Sequence, residues 1–120
     1  MKKILIIEDE PLVAKALSIR LKSAGYSSSI AYDAATGLMQ FKKTEPDMVL
    51  LDINLPAGDG FMVAERIFEQ SPTMLPIIFI TASKDPQLLQ KAKDMGAAGY
   101  FEKPYEAQEL LDAIAEILEG

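Results

Sequence analysis

The residues best able to do chemistry stand where the chain's apolar runs end. "KKILIIE" (2–8) ends in Glu8, with Asp9 and Glu10 after it; "DMVLL" (47–51) runs into Asp52. "PIIFIT" (76–81) ends in Thr81, followed by Ala82 and Ser83; "GYFEK" (99–103) ends in Lys103, followed by Pro104. Each has an ordinary reading alone. Asp9 or Glu10 can cap the helix that follows, Thr81 suits a strand, and Lys103 suits solvent. Brought to one edge they are a different object. Carboxylates about 5 Å apart at an effective dielectric near 20 repel by about 3 kcal/mol per pair. Lys103 offers one counter-charge. The remaining excess suits a hard divalent cation with oxygen ligands. Mg²⁺ fits best, because it keeps waters and takes one or two carboxylates plus a phosphate. Such a cluster therefore implies a phosphoryl group at the same edge.

Composition removes several other chemistries. The chain has 120 residues with no Cys and no His. Disulfides, thiolate catalysis, a Ser-His-Asp triad and a His-based metal site are excluded. The net charge is −6, from 12 basic and 18 acidic residues, which argues against direct nucleic-acid binding. The apolar stretch Ile4–Ile7 is too short to cross a membrane or to form a signal-peptide core. With no export signal and no Cys, the expected compartment is the cytoplasm.

The elements that must position these residues alternate along the chain. Strands are expected at 2–8, 27–32, 47–51, 76–81 and 99–103. Helices are expected at 11–25, 33–43, 60–70, 85–96 and 106–118. In the first helix Leu12, Ala16, Ile19 and Leu21 fall on or near one face, with Pro11 in the first turn and Gly25 at the stop. Asp33, Asp59 and Asp85 are expected N-caps, with Pro86 at the first helical position and Gly96 at that helix's end. "SSSIAY" (27–32) is polar enough for an edge strand. Five βα units imply a parallel sheet covered by helices on both faces. The expected fold is a doubly wound, flavodoxin-like α/β sandwich, strand order 2-1-3-4-5, forming a single domain over 1–120. Ligands of such sheets sit beyond the carboxyl ends of the strands, where the residues named above lie.

With "IIEDEP", "LLDINLPAGDGF", "FITAS" and "GYFEKP" in this order, the whole chain resembles the receiver domain of bacterial two-component response regulators. The intervals agree too, with 29 residues from Asp52 to Thr81 and 22 from Thr81 to Lys103. The resemblance implies that Asp52 accepts a phosphoryl group from a phosphohistidine on a histidine kinase or phosphotransfer protein. It implies that Asp9 binds Mg²⁺ directly and that Glu8 does so directly or through a water. Asp52 itself and the Asn54 backbone carbonyl complete the metal set. Thr81 would hydrogen-bond a phosphoryl oxygen, Lys103 would pair with the phosphoryl group, and Ala82 would leave the site open. Pro56 and Gly60 match the loop after the acceptor, and Gly58 and Gly60 suit unusual backbone conformations. A cis Lys103–Pro104 bond is implied as well.

The resemblance further implies a switch. Thr81 would move toward the phosphoryl group and Tyr100 would turn into the vacated space. That would change the surface of the fourth helix, fifth strand and fifth helix, and so control a partner or effector domain. One departure stands out. Receivers of the winged-helix DNA-binding class usually read "GADDY" before the last strand and carry Arg on the last helix. Here the stretch is "GAAGY", and the last helix carries Glu106, Glu109, Asp112, Glu116 and Glu119 without Arg or Lys. That disfavours the salt-bridged dimer of that class. The acidic face is either solvated or a surface for a basic partner.

Other functions fit less well. A phosphatase of the haloacid-dehalogenase type would have a second Asp where Asn54 stands, and a cap domain. A flavin-binding module would need a phosphate-cradling loop where Glu8–Glu10 stand. A non-phosphorylated interaction module would not need the full set of polar residues. A signalling switch without independent substrate turnover is the expected function.

Overall fold

A computed structural model describes residues 1–56, 59–71 and 73–120. The apolar runs form five strands: β1 (Lys3–Ile7), β2 (Ser27–Ala31), β3 (Met48–Asp52), β4 (Ile77–Thr81) and β5 (Gly99–Glu102). Between and after them lie α1 (Pro11–Ser23), α2 (Ala34–Thr44), α3 (Gly60–Gln70), α4 (Pro86–Asp94) and α5 (Ala107–Glu119). All strand pairs are parallel and the order is β2-β1-β3-β4-β5. β2, with three serines, is an edge strand, as its polarity requires.

Alternation along the strands builds two cores. Leu5, Ile7, Val49, Leu51, Ile77 and Phe79 face one way, against Ala34 of α2, Phe61 and Ile67 of α3 and Ala92 of α4. Ile4, Ile6, Met48, Leu50, Ile78 and Ile80 face the other way, against Leu17 of α1 and Leu110 and Ile114 of α5. The middles of the three central strands are apolar on both sides because helices cover both faces.

The register sets the level of the strand ends. Ile7 pairs with Leu51, Asp52 with Ile80 and Thr81 with Glu102. Glu8 and Asp52 therefore stand next to each other just past the last β1–β3 pair. β3 includes Asp52, one residue beyond the expected end. β5 stops at Glu102, one residue short. Lys103 nevertheless stays in line, because its N–H donates to the Thr81 carbonyl at 2.7 Å.

Three expected caps form: Asp33 accepts from Thr36 N–H, Asp59 from Met62 N–H and Asp85 from Gln87 N–H. The cap of α1 does not. Glu10 occupies the cap position without a side-chain bond, and its own N–H donates to Glu8 Oε2 at 3.2 Å. Gly25 and Gly96 stop their helices at φ of 95° and 87°, a region other residues resist. The Lys103–Pro104 bond is cis.

The expected face of α1 needs correction. Its buried residues are Ala14, Leu17 and Leu21, whereas Leu12 is 83% and Ile19 58% exposed and Ala16 is exposed. Apolar residues surround this helix, so their spacing alone selects no face. Contact with the sheet does.

Candidate functional site

Glu8, Asp52 and Thr81 are the buried polar side chains of the described residues, at 4%, 5% and 0% exposure. The ladder carries each into the interior at the sheet's carboxyl edge. Lys103, arriving from the end of β5, bridges the two acids. Its Nζ donates to Glu8 Oε1 at 2.6 Å and to Asp52 Oδ2 at 3.1 Å. The other Asp52 oxygen, Oδ1, accepts from the Asn54 N–H at 2.9 Å.

Burial and electrostatics pull these groups in opposite directions. Desolvation pushes the Glu8 carboxyl up to about 7; the Lys103 hydrogen bond opposes the rise and the Asp52 charge adds to it. Desolvation also acts against the Lys103 ammonium, but its bonds to Glu8 and Asp52 outweigh burial and hold its pKa above the usual lysine value. One cation thus serves two buried acids.

Asp9, half-buried, stands beside them. Carboxylate oxygens of Glu8, Asp9 and Asp52 lie within 4.8 Å of one another, close enough to hold one metal ion. This all-oxygen set fits Mg²⁺, which favours carboxylates and water. The Asn54 backbone turns back on Asp52 through its N–H, which keeps the segment after β3 beside the acids. Glu10 is exposed and stands apart from this cluster.

Thr81 is held through its hydroxyl. Oγ1 accepts from the Asn54 side-chain amide at 3.1 Å and from Ser83 N–H at 3.0 Å. The contact between the Asn54 side chain and Thr81 went unforeseen, because 27 residues separate the two and no local pattern links them. The direct Glu8–Lys103 bond was legible only as a need for counter-charge. Tyr100 packs on the core formed with α2, α3 and α4, and its hydroxyl is buried without a hydrogen-bond partner among the described residues.

Gly60 has a different reason from the expected one. It adopts no left-handed conformation; instead an added Cβ would lie 2.5 Å from the Asp52 carbonyl oxygen and 2.8 Å from Ile53 Cα. Its N–H donates to the Ile53 carbonyl at 2.8 Å. Only a residue without a side chain lets α3 begin this close to the end of β3. Gly58, the other glycine of that expectation, lies outside the described residues.

Among the described residues, no helix is long and apolar enough to cross a membrane. The family model described as the response regulator receiver domain matches residues 4–115. The DNA-binding dual master transcriptional regulator RpaA of Synechocystis sp. is 34% identical over 98% of this chain and 49% of that protein. The transcriptional regulatory protein DltR of Streptococcus agalactiae is 39% identical over 93% of this chain and 50% of that protein. The chain thus spans about half the length of the curated relatives it matches. Among solved structures, a CheY-like response regulator receiver domain protein from Methanospirillum hungatei superposes with a TM-score of 0.92 at 28% identity, covering 99% of this chain and 94% of that one. The buried acids, the bridging lysine, the parallel sheet and these matches converge on one conclusion: the chain belongs to the response regulator receiver domain family of two-component signalling systems.

Proposed function

We propose that this domain, as a single unit over 1–120, is a phosphorylation-dependent switch with Asp52 as its phosphoacceptor. The observation that carries this reading is the Asp52 carboxylate itself. It is fixed at the end of a central strand, with Lys103 Nζ 3.1 Å away and two more acids close enough to share a cation. The donor is a phosphohistidine of a histidine kinase or phosphotransfer protein. An Asp52 oxygen forms the new P–O bond while the P–N bond breaks, and its electron pair stays on the leaving imidazole.

Phosphoryl transfer needs positioning and charge neutralisation more than covalent help. Glu8, Asp9, Asp52 and the Asn54 carbonyl would hold Mg²⁺, which when bound supplies positive charge to the phosphoryl oxygens. Lys103 pairs with the incoming phosphoryl group, and Thr81 donates its hydroxyl proton to a phosphoryl oxygen. The exposed Ala82 leaves the approach open.

Output follows from coupling Thr81 to Tyr100. The Tyr100 hydroxyl, buried without a partner among the described residues, supports a side chain that gains by turning when Thr81 moves. That motion biases the α4–β5–α5 surface, which controls a downstream effector protein or domain.

Intact mass after incubation with acetyl phosphate and Mg²⁺ tests the reading. One added phosphoryl group is expected in the wild type, lost without Mg²⁺ and lost in Asp52→Ala. No gain in the wild type overturns it. Tyr100→Ala tests the output arm; partner binding that still depends on phosphorylation in this variant overturns the Tyr100 role.

A further inference from the structure

We propose that the Asn54 side-chain amide is a latch holding the Thr81 hydroxyl in its resting position, and so sets the cost of switching. The inference rests on the phosphoacceptor reading above. A hydroxyl has two acceptor sites and one proton to donate. Both acceptor sites of Thr81 Oγ1 are used, by Asn54 Nδ2 at 3.1 Å and by Ser83 N–H at 3.0 Å. Among the described residues no acceptor takes the proton, which leaves it for a phosphoryl oxygen.

The two bonds restrain differently. Ser83 lies two residues from Thr81 on the same segment, so its bond is local. Asn54 belongs to the segment after β3 and is tied by its own N–H to Asp52 Oδ1. Its amide therefore holds Thr81 from another element. Thr81 is fully buried and its backbone is locked in the β4 ladder. Its hydroxyl can move toward a phosphoryl group mainly by rotating about Cα–Cβ, and that rotation stretches the Asn54 bond. Phosphorylation must therefore break the Asn54 bond, the one that reaches Thr81 from another element, before Thr81 engages. Asn54 is a positioning residue: its backbone serves the acceptor, while its side chain opposes the switch.

The test uses beryllofluoride with Mg²⁺ as a phosphoryl probe, titrated by tyrosine fluorescence and NMR. Asn54→Ala keeps the backbone N–H and carbonyl and removes only the amide. Losing a hydrogen bond that forms only in the resting state should tighten beryllofluoride binding by about two- to tenfold. In a Thr81→Ala background the same substitution should change nothing, because the latch acts through the hydroxyl. Unchanged or weaker binding by Asn54→Ala overturns the proposal, as does an equal gain in the Thr81→Ala background. If the wild type binds no beryllofluoride with Mg²⁺ present, the phosphoacceptor reading fails and the latch fails with it. That outcome is distinct from a wild type that binds and a variant that gains nothing.

Discussion

Lys103 Nζ donates to Glu8 Oε1 at 2.6 Å across 95 residues of sequence, and the same nitrogen reaches Asp52 Oδ2 at 3.1 Å. The last strand therefore closes a charge cluster opened by the first. Three acids against one lysine leave the site short of positive charge. Substitutions at the two ends of the Lys103–Asp52 contact should then have opposite signs. Asp52→Asn removes one of the repelling charges and should stabilise the metal-free protein by about 1 kcal/mol. Lys103→Ala leaves two buried acids without their donor and should cost about 2 kcal/mol. Urea unfolding in the presence of a chelator reads both; a loss of stability in Asp52→Asn would show that the cluster is not under charge strain.

The Tyr100 hydroxyl is buried without a partner among the described residues. A buried polar group without a hydrogen bond costs about 1–3 kcal/mol. Tyr100→Phe removes the hydroxyl and keeps the ring, so it should raise stability by about 1 kcal/mol. Thermal unfolding of the unphosphorylated protein measures this. A destabilised Tyr100→Phe would mean that the hydroxyl has a partner in solution.

Two glycines that meet neighbours at similar distances should respond differently. At Gly60 the obstacle to a Cβ is the Asp52 carbonyl oxygen at 2.5 Å, main chain that cannot rotate away. Gly60→Ala should cost about 1–3 kcal/mol and slow labelling of Asp52 by acetyl phosphate. At Gly37 the obstacle is the tip of Ile7, Cδ1 at 2.7 Å. The far end of a side chain can shift where main chain cannot, and alanine is better than glycine inside α2 by about 1 kcal/mol. Gly37→Ala should be near neutral. Denaturant midpoints of the pair decide; equal losses would refute the distinction between fixed and flexible obstacles.

Tyr26 ties the start of β2 to the end of the chain, donating its hydroxyl to Glu119 Oε2 at 2.5 Å. Burial first, then the bond and charge of Glu119, push its ionisation up to about 12. A phenol whose folded pKa lies above the unfolded value of about 10 stabilises fully below pH 10. That contribution should fade between pH 10 and 12. Glu119→Gln should move the Tyr26 titration downward, read from phenolate absorbance against Tyr26→Phe. An unmoved titration would remove Glu119 as a cause.

What the chain determines by itself is local and periodic. Apolar runs of strand length, split by helical spacing and punctuated by Asp33, Asp59 and Asp85, specify five βα units, because caps and periodicity act within a few residues. The positions of Glu8, Asp52, Thr81 and Lys103 at run ends placed them at one sheet edge once the fold class was read. Tertiary structure decided the rest. The buried face of α1 depended on contact with the sheet, since Leu12 and Ile19 are as apolar as Leu17 and Leu21. Gly60 is required by the nearness of Asp52, not by its own backbone angles. The bonds from Lys103 to Glu8 and from Asn54 to Thr81 join residues far apart in the chain. No local propensity encodes such a distance; strand order and register produce it.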